Sequence, residues 1–141
     1  MTSEHPPAVL FVCSKNGGKS QLAAGLMRDL AEDDVTVYSA GTKPAESLNS
    51  QAVESLTELG IDVTGEYPKP VTDEVLNSVD AVIVLGTEAK LEPVEGTRFE
   101  IWETDEPSKR GIEGMERMRL IRDDIKTRVQ SLYRDLTRTT D

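Results

Sequence analysis

Residues 13–20, Cys13-Ser14-Lys15-Asn16-Gly17-Gly18-Lys19-Ser20, crowd a thiol, two ammonium groups, two glycines and hydroxyls into one short stretch. A thiol attacks as its thiolate, and neighbouring cations and a helix N-terminus favour that form. Gly17 and Gly18 carry no side chains, so the backbone can curl closely around a guest and turn its N–H groups inward. Those amides, with the positive end of a following helix, suit an anion. Lys19 adds a full positive charge, with Lys15 close by in the chain. Ser20 can donate its hydroxyl to the sulfur, which favours the thiolate and eases its later departure. Asn16 can take a left-handed backbone or brace the loop through its amide. By itself a lone cysteine reads as a small buried hydrophobe. In this loop it reads as a nucleophile for a tetrahedral oxyanion held by residues 14–20.

A second reading competes. Gly18-Lys19-Ser20 between a strand and a helix also matches the end of a nucleotide-binding loop, G-x-x-x-x-G-K-[ST]. The first glycine of that pattern falls on Cys13, and the apolar run Ala81–Leu85 leads into Gly86-Thr87 with no magnesium-binding Asp. The nucleotide reading is set aside on both counts.

The loop needs a scaffold, and the flanking sequence predicts one. Ala8–Val12 is an unbroken apolar run, as in a strand buried on both faces. Leu22, Leu26 and Leu30, with Ala23 and Met27 beside them, mark a helix after the loop. Val35–Ala40 predicts a second strand, and Leu48–Leu59 a helix stopped by Gly60. Ile61-Asp62-Val63 reads as short and extended. Thr72 is positioned to cap a brief helix through Ser78. Ala81–Leu85 and Arg98–Trp102 predict two more strands, and Met118, Ile121, Ile125, Val129, Leu132 and Leu136 one face of a last helix. This alternation predicts an α/β fold: a four-stranded parallel sheet with helices on both faces. Ligands of such sheets bind beyond the carboxyl ends of the strands, where Cys13 falls.

The 141 residues amount to one domain, 1–141, with residues 1–7 as a flexible tail and Thr137–Asp141 frayed. A net charge of -10 argues against nucleic acid and anionic membranes as partners, so local dipoles and a few cations must attract an anion. No apolar stretch is long enough to span a bilayer and no signal peptide is evident, which with a single cysteine predicts a cytoplasmic protein. One histidine and one cysteine cannot build an ordinary zinc shell, so no metal and no bound cofactor are expected. His5 reads as a tail residue, Glu32–Asp34 as a solvated turn, Trp102 as packing that could border the site, and Ser39–Thr42 as a brace for the Cys13 loop.

Cys13, five residues, then Lys19-Ser20 resembles the C-x5-R-S loop of low-molecular-weight protein tyrosine phosphatases and related arsenate reductases. The resemblance extends through Ser20-Gln21-Leu22-Ala23-Ala24, Ser39-Ala40-Gly41-Thr42, Gly60–Val63, Trp102–Pro107 and Met115–Val129. It implies a catalytic role for Cys13, Lys19 and Ser20, and a general acid near Asp105-Glu106-Pro107. Glu106 takes the place of the family aspartate, with Asp105 as the alternative. Lys19 departs from the pattern: it keeps the charge of the family arginine but not its planar two-pronged fork. Asn16–Ser20 together with Glu106-Pro107 looks like the actinobacterial arsenate–mycothiol transferases. That likeness implies arsenate as substrate, mycothiol as cosubstrate and a mycoredoxin downstream. A tyrosine phosphatase is the alternative enzyme, although Ser108 and Lys109 stand where such phosphatases place aromatic residues. A non-catalytic oxyanion-binding module is the third reading.

Overall fold

In the computed structural model, which describes residues 6–138, four strands form one parallel sheet in the order β2-β1-β3-β4. The elements are β1 (Ala8–Cys13), α1 (Lys19–Ala31), β2 (Thr36–Gly41), α2 (Ser50–Thr57), α3 (Asp73–Leu76), β3 (Ala81–Leu85), β4 (Arg98–Trp102) and α4 (Gly114–Thr137). His5, most of the predicted tail and the last three residues lie outside the described residues. Pro7 is tied in, its carbonyl accepting the Thr36 N–H at 2.8 Å.

The apolar runs predicted as doubly buried strands occupy the centre of the sheet, where both faces are covered. Val9, Phe11, Ala81, Ile83 and Leu85 pack against α1, α2 and α4 through Leu22, Met27, Leu56, Ile121, Ile125 and Val129. Alternate residues Leu10, Val12, Val82 and Val84 face the other way. The two faces are covered unequally. Three longer helices share the first core, whereas α3 and the segment carrying Ala89 and Leu91 cover the second. Phe11 and Trp102 meet with ring centroids 6.0 Å apart, so Trp102 is a packing residue.

Element ends follow local chemistry. The Asn49 side chain accepts the Ala52 N–H at 3.0 Å, so α2 starts two residues after Leu48 rather than at it. Thr72 caps α3 as expected, accepting from Val75 N at 3.2 Å. Ile61-Asp62-Val63 is the exception. It joins no strand; Ile61 and Val63 are buried and close on Gly25 of α1, where an added Cβ would meet Val63 Cγ1 at 3.2 Å. Two apolar plugs flanking an exposed Asp mimic the alternation of a strand.

The chain runs from β1 to β2 on one side, then returns to place β3 on the other. Its direction reverses beside β1, so a crevice opens beyond the carboxyl ends of β1 and β3. The Cys13 loop sits there.

Candidate active site

Five carbonyls of the loop are drawn outward. Cys13 O accepts from Thr42 N, Ser14 O from Lys43 N, Lys15 O from Ala45 N, and Gly17 O from Asn49 N, at 2.7–3.2 Å. Asn16 O accepts from Gln21 Nε2 at 3.1 Å. The first helical bond runs from Leu22 N to Gly18 O, which leaves the Lys19 and Ser20 amides without helical acceptors. Among the described residues the N–H groups of Lys15, Gly17 and Gly18 also donate to nothing. With its carbonyls anchored outside, the loop offers its amides to the inside. The predicted brace Ser39–Thr42 contributes one of these five anchors, through Thr42; residues 43–49 supply three and Gln21 the fifth.

Asn16 serves both of the functions foreseen for it. It is fully buried at φ 53, and its Oδ1 accepts the Lys69 N–H at 2.9 Å. Its Nδ2 donates to Ser20 Oγ at 2.8 Å. Ser20 Oγ stands 2.9 Å from Cys13 Sγ, and the Asn16 N–H donates to the same sulfur at 3.2 Å. Because Asn16 already fills an acceptor position on Ser20, the hydroxyl proton is free to point at the sulfur. The Ser20 hydroxyl and the Asn16 N–H both lie within hydrogen-bonding distance of Sγ, so a thiolate formed there would meet two donors.

Cys13 is 8% exposed, yet it borders a cavity of about 440 Å³ with Ser14, Lys15, Gly17, Gly18 and Lys19. Asn16 and Ser20 lie behind this lining as supports. Glu88 and Arg117 also border the cavity. Arg117, in the first turn of α4, was not among the candidate residues. The only hint of it in the sequence is a cation at a helix N-terminus, where cations are disfavoured.

The two carboxylates predicted as the acid do not border the cavity. Glu106 is clasped by Arg117, Nε to Oε2 at 2.7 Å and Nη2 to Oε1 at 2.8 Å. Its Oε2 also accepts from Ser108 Oγ at 2.7 Å. Asp105 is clasped by Arg110 at 2.8 and 3.0 Å.

The sequence model of the low molecular weight phosphotyrosine protein phosphatases matches residues 8–141. The chain belongs to that family. A Halobacterium salinarum relative, named provisionally as an arsenate reductase, is 36% identical over 129 residues, covering 87% of this chain and 88% of its own. The structure of a thioredoxin-dependent arsenate reductase from Corynebacterium glutamicum superposes with a TM-score of 0.81 at 31% identity. That match covers 96% of this chain and 64% of the other, so this chain spans about two thirds of it. An arsenate reductase in its phosphate-binding state gives a TM-score of 0.80 at 29% identity, covering 92% and 98% of the two chains.

The hydrogen bonds from Arg117, opposed by burial and reinforced by Ser108, pull Glu106 from its ordinary 4.5 down to about 2. Asp105 is also lowered, chiefly by its hydrogen bonds to Arg110. In this arrangement Glu106 is ionised at neutral pH. Arg119 and Arg122 lower Glu58, at the end of α2, to about 2 in the same way.

A carboxyl held below its unfolded value stabilises the fold above that value, and the contribution is lost as pH falls through the folded one. The urea midpoint should therefore drop as pH falls from 4.5 towards about 2. The double variant Glu58→Gln/Glu106→Gln should show a shallower drop; an equally steep one would assign the acid sensitivity elsewhere.

Proposed function

We propose that this protein is an arsenate reductase that works by thiol transfer. It joins arsenate to a low-molecular-weight thiol, mycothiol, and a mycoredoxin then releases arsenite. One observation carries the reading: a sulfur within hydrogen-bonding distance of the Ser20 hydroxyl and the Asn16 N–H, at the border of a cavity lined by the loop, in a chain with no second cysteine. The arsenate reductase names of the relatives support the oxyanion. The absence of another thiol in the chain means that an internal disulfide relay cannot resolve an adduct on Cys13, so the resolving thiol comes from outside.

In the first step the Cys13 thiolate displaces hydroxide from the dihydrogen arsenate monoanion, forming an S–As bond and breaking an As–O bond. The loop amides and Lys19 hold the arsenate oxygens as charge builds on them. The external thiol then attacks arsenic through its sulfur. Cys13 leaves as the thiol, eased by Ser20, and the product is the arseno-thiol monoanion, in which the external sulfur has replaced one hydroxyl of arsenate. Cys13 returns its proton to the released hydroxide as water. The proton balance closes on that of the incoming thiol, with Glu106 remaining ionised on Arg117. In the second stage a mycoredoxin thiol attacks the sulfur of the adduct. The S–As electron pair passes to arsenic, giving the dihydrogen arsenite monoanion and a mixed disulfide.

The test is arsenate consumption by purified protein with mycothiol, with glutathione and with no thiol, each with and without mycoredoxin. We expect an arseno-thiol adduct with mycothiol and arsenite only after mycoredoxin is added. Turnover with glutathione instead would replace the named thiol. Hydrolysis of p-nitrophenyl phosphate without thiol, and no arsenate consumption in any arm, would overturn the reading in favour of a phosphatase.

A further inference from the structure

The cavity at Cys13 is bordered by three cations, Lys15, Lys19 and Arg117, and one carboxylate, Glu88. The chain as a whole carries -10, so an oxyanion must be held by what lies in the cavity itself. Lys19 occupies the place of the family's loop arginine. An ammonium is a point charge, whereas a guanidinium offers paired donors that match two oxygens at once. The loop thus lacks a planar fork.

Arg117 carries one to the same cavity from α4. A guanidinium has five N–H donors arranged on two usable edges. The Nε–Nη2 edge of Arg117 is filled by Glu106, at 2.7 and 2.8 Å. Glu106 is in turn fixed by the Ser108 hydroxyl and N–H at 2.7 and 3.2 Å. Among the described residues Nη1 makes no hydrogen bond, and neither does the second Nη2 proton. The Nη1–Nη2 edge therefore remains for a guest. The Glu106 clasp already holds the guanidinium in one place, so little side-chain entropy is lost when a guest binds.

We infer that Arg117 is a second oxyanion-gripping residue of the Cys13 site: it provides, from α4, the two-pronged contact that Lys19 does not make, with Glu106 as its positioning residue. The inference rests on the oxyanion chemistry of the proposed function. It adds the role of a residue outside the Cys13 loop and gives Glu106 a function other than acid. Arsenate and phosphate share the tetrahedral geometry that such an edge recognises, and direct binding of each separates the two.

The experiment measures dissociation constants of inorganic phosphate and of arsenate by calorimetry, without thiol. It compares wild type, Arg117→Met, Arg117→Lys and the double variant Lys19→Arg/Arg117→Met, with thermal midpoints as a fold check. Loss of a charged pair of hydrogen bonds should weaken both anions about tenfold or more in Arg117→Met. Arg117→Lys should recover little of that loss, because it restores charge without the fork. Lys19→Arg in the Met background should recover most of it by putting a fork back on the loop. In steady-state assays the loss should appear in the arsenate KM, while the thiol KM stays within about twofold. Unchanged anion binding in Arg117→Met would overturn the inference. So would a loss that tracks a lowered thermal midpoint and is not rescued by Lys19→Arg, since Arg117 would then only brace the 105–110 loop. Because binding is read without turnover, absence of arsenate reduction in every protein would count against the proposed function and leave the binding result standing.

Discussion

Cys13→Ser should abolish thiol-dependent arsenate turnover, with a loss on the order of 10⁴- to 10⁶-fold, the scale seen when a covalent nucleophile is removed. A serine hydroxyl at this position would remain protonated at neutral pH and attack arsenic far more slowly than a thiolate. The fold should survive. Oxygen is smaller than sulfur but can keep both contacts, to Ser20 Oγ and to the Asn16 N–H. The amides of Lys15, Gly17 and Gly18 do not depend on the sulfur, because the carbonyl clamp outside the loop orients them. The variant should therefore still bind phosphate with near-native affinity while its turnover vanishes. Adduct formation at more than a hundredth of the native rate would exclude Cys13 as nucleophile; lost phosphate binding would show that the sulfur also maintains the loop.

Gly41→Ala is the second large effect, from a residue that touches no substrate. Gly41 ends β2 beside the loop, and an added Cβ would lie 2.7 Å from Ser14 O, 2.9 Å from Asn16 N and 3.0 Å from Asn16 Cβ. Two of these atoms are backbone and cannot swing aside, so a strand or the loop must move. Overpacking of this kind costs about 1–3 kcal/mol of stability. The functional loss should be larger in proportion. The displaced atoms belong to the stretch that carries the Asn16 N–H donor to the sulfur, and a misplacement of about 1 Å near a reacting centre can cost roughly 10²-fold in rate. Urea denaturation alongside kcat/KM separates the two effects. Activity within threefold of native would mean that the loop tolerates the shift and that the tight packing at Gly41 has no catalytic consequence.

The parts legible in the sequence are those encoded by near neighbours. Ala8–Val12 and Ala81–Leu85 announce doubly buried strands because nothing in them suits water, and both occur in the sheet as read. The Cys13 loop is equally local. A strand, a short run of small and basic residues and a helix start bring thiol, hydroxyl and amides into one short stretch of chain. Asn16 could be given two possible roles from residue type alone, and it fills both. Ile61-Asp62-Val63 marks the limit of such reading, since a period of two is shared by strands and by loops that plug a core with alternate side chains.

The amino-acid order thus determined, by itself, the alternating α/β elements, the position of the thiol at a strand end and the loop that can hold an anion. Tertiary structure alone decided the rest of the site. It placed Arg117 at the cavity, turned Glu106 from a free carboxyl into the far half of an ion pair, and anchored the loop carbonyls on residues 42–49. The physical reason is range. Periodicity and turn chemistry act over a few residues, whereas the state of a carboxyl is set by whichever charge the fold brings within about 3 Å of it. Such a neighbour can come from any distance along the chain.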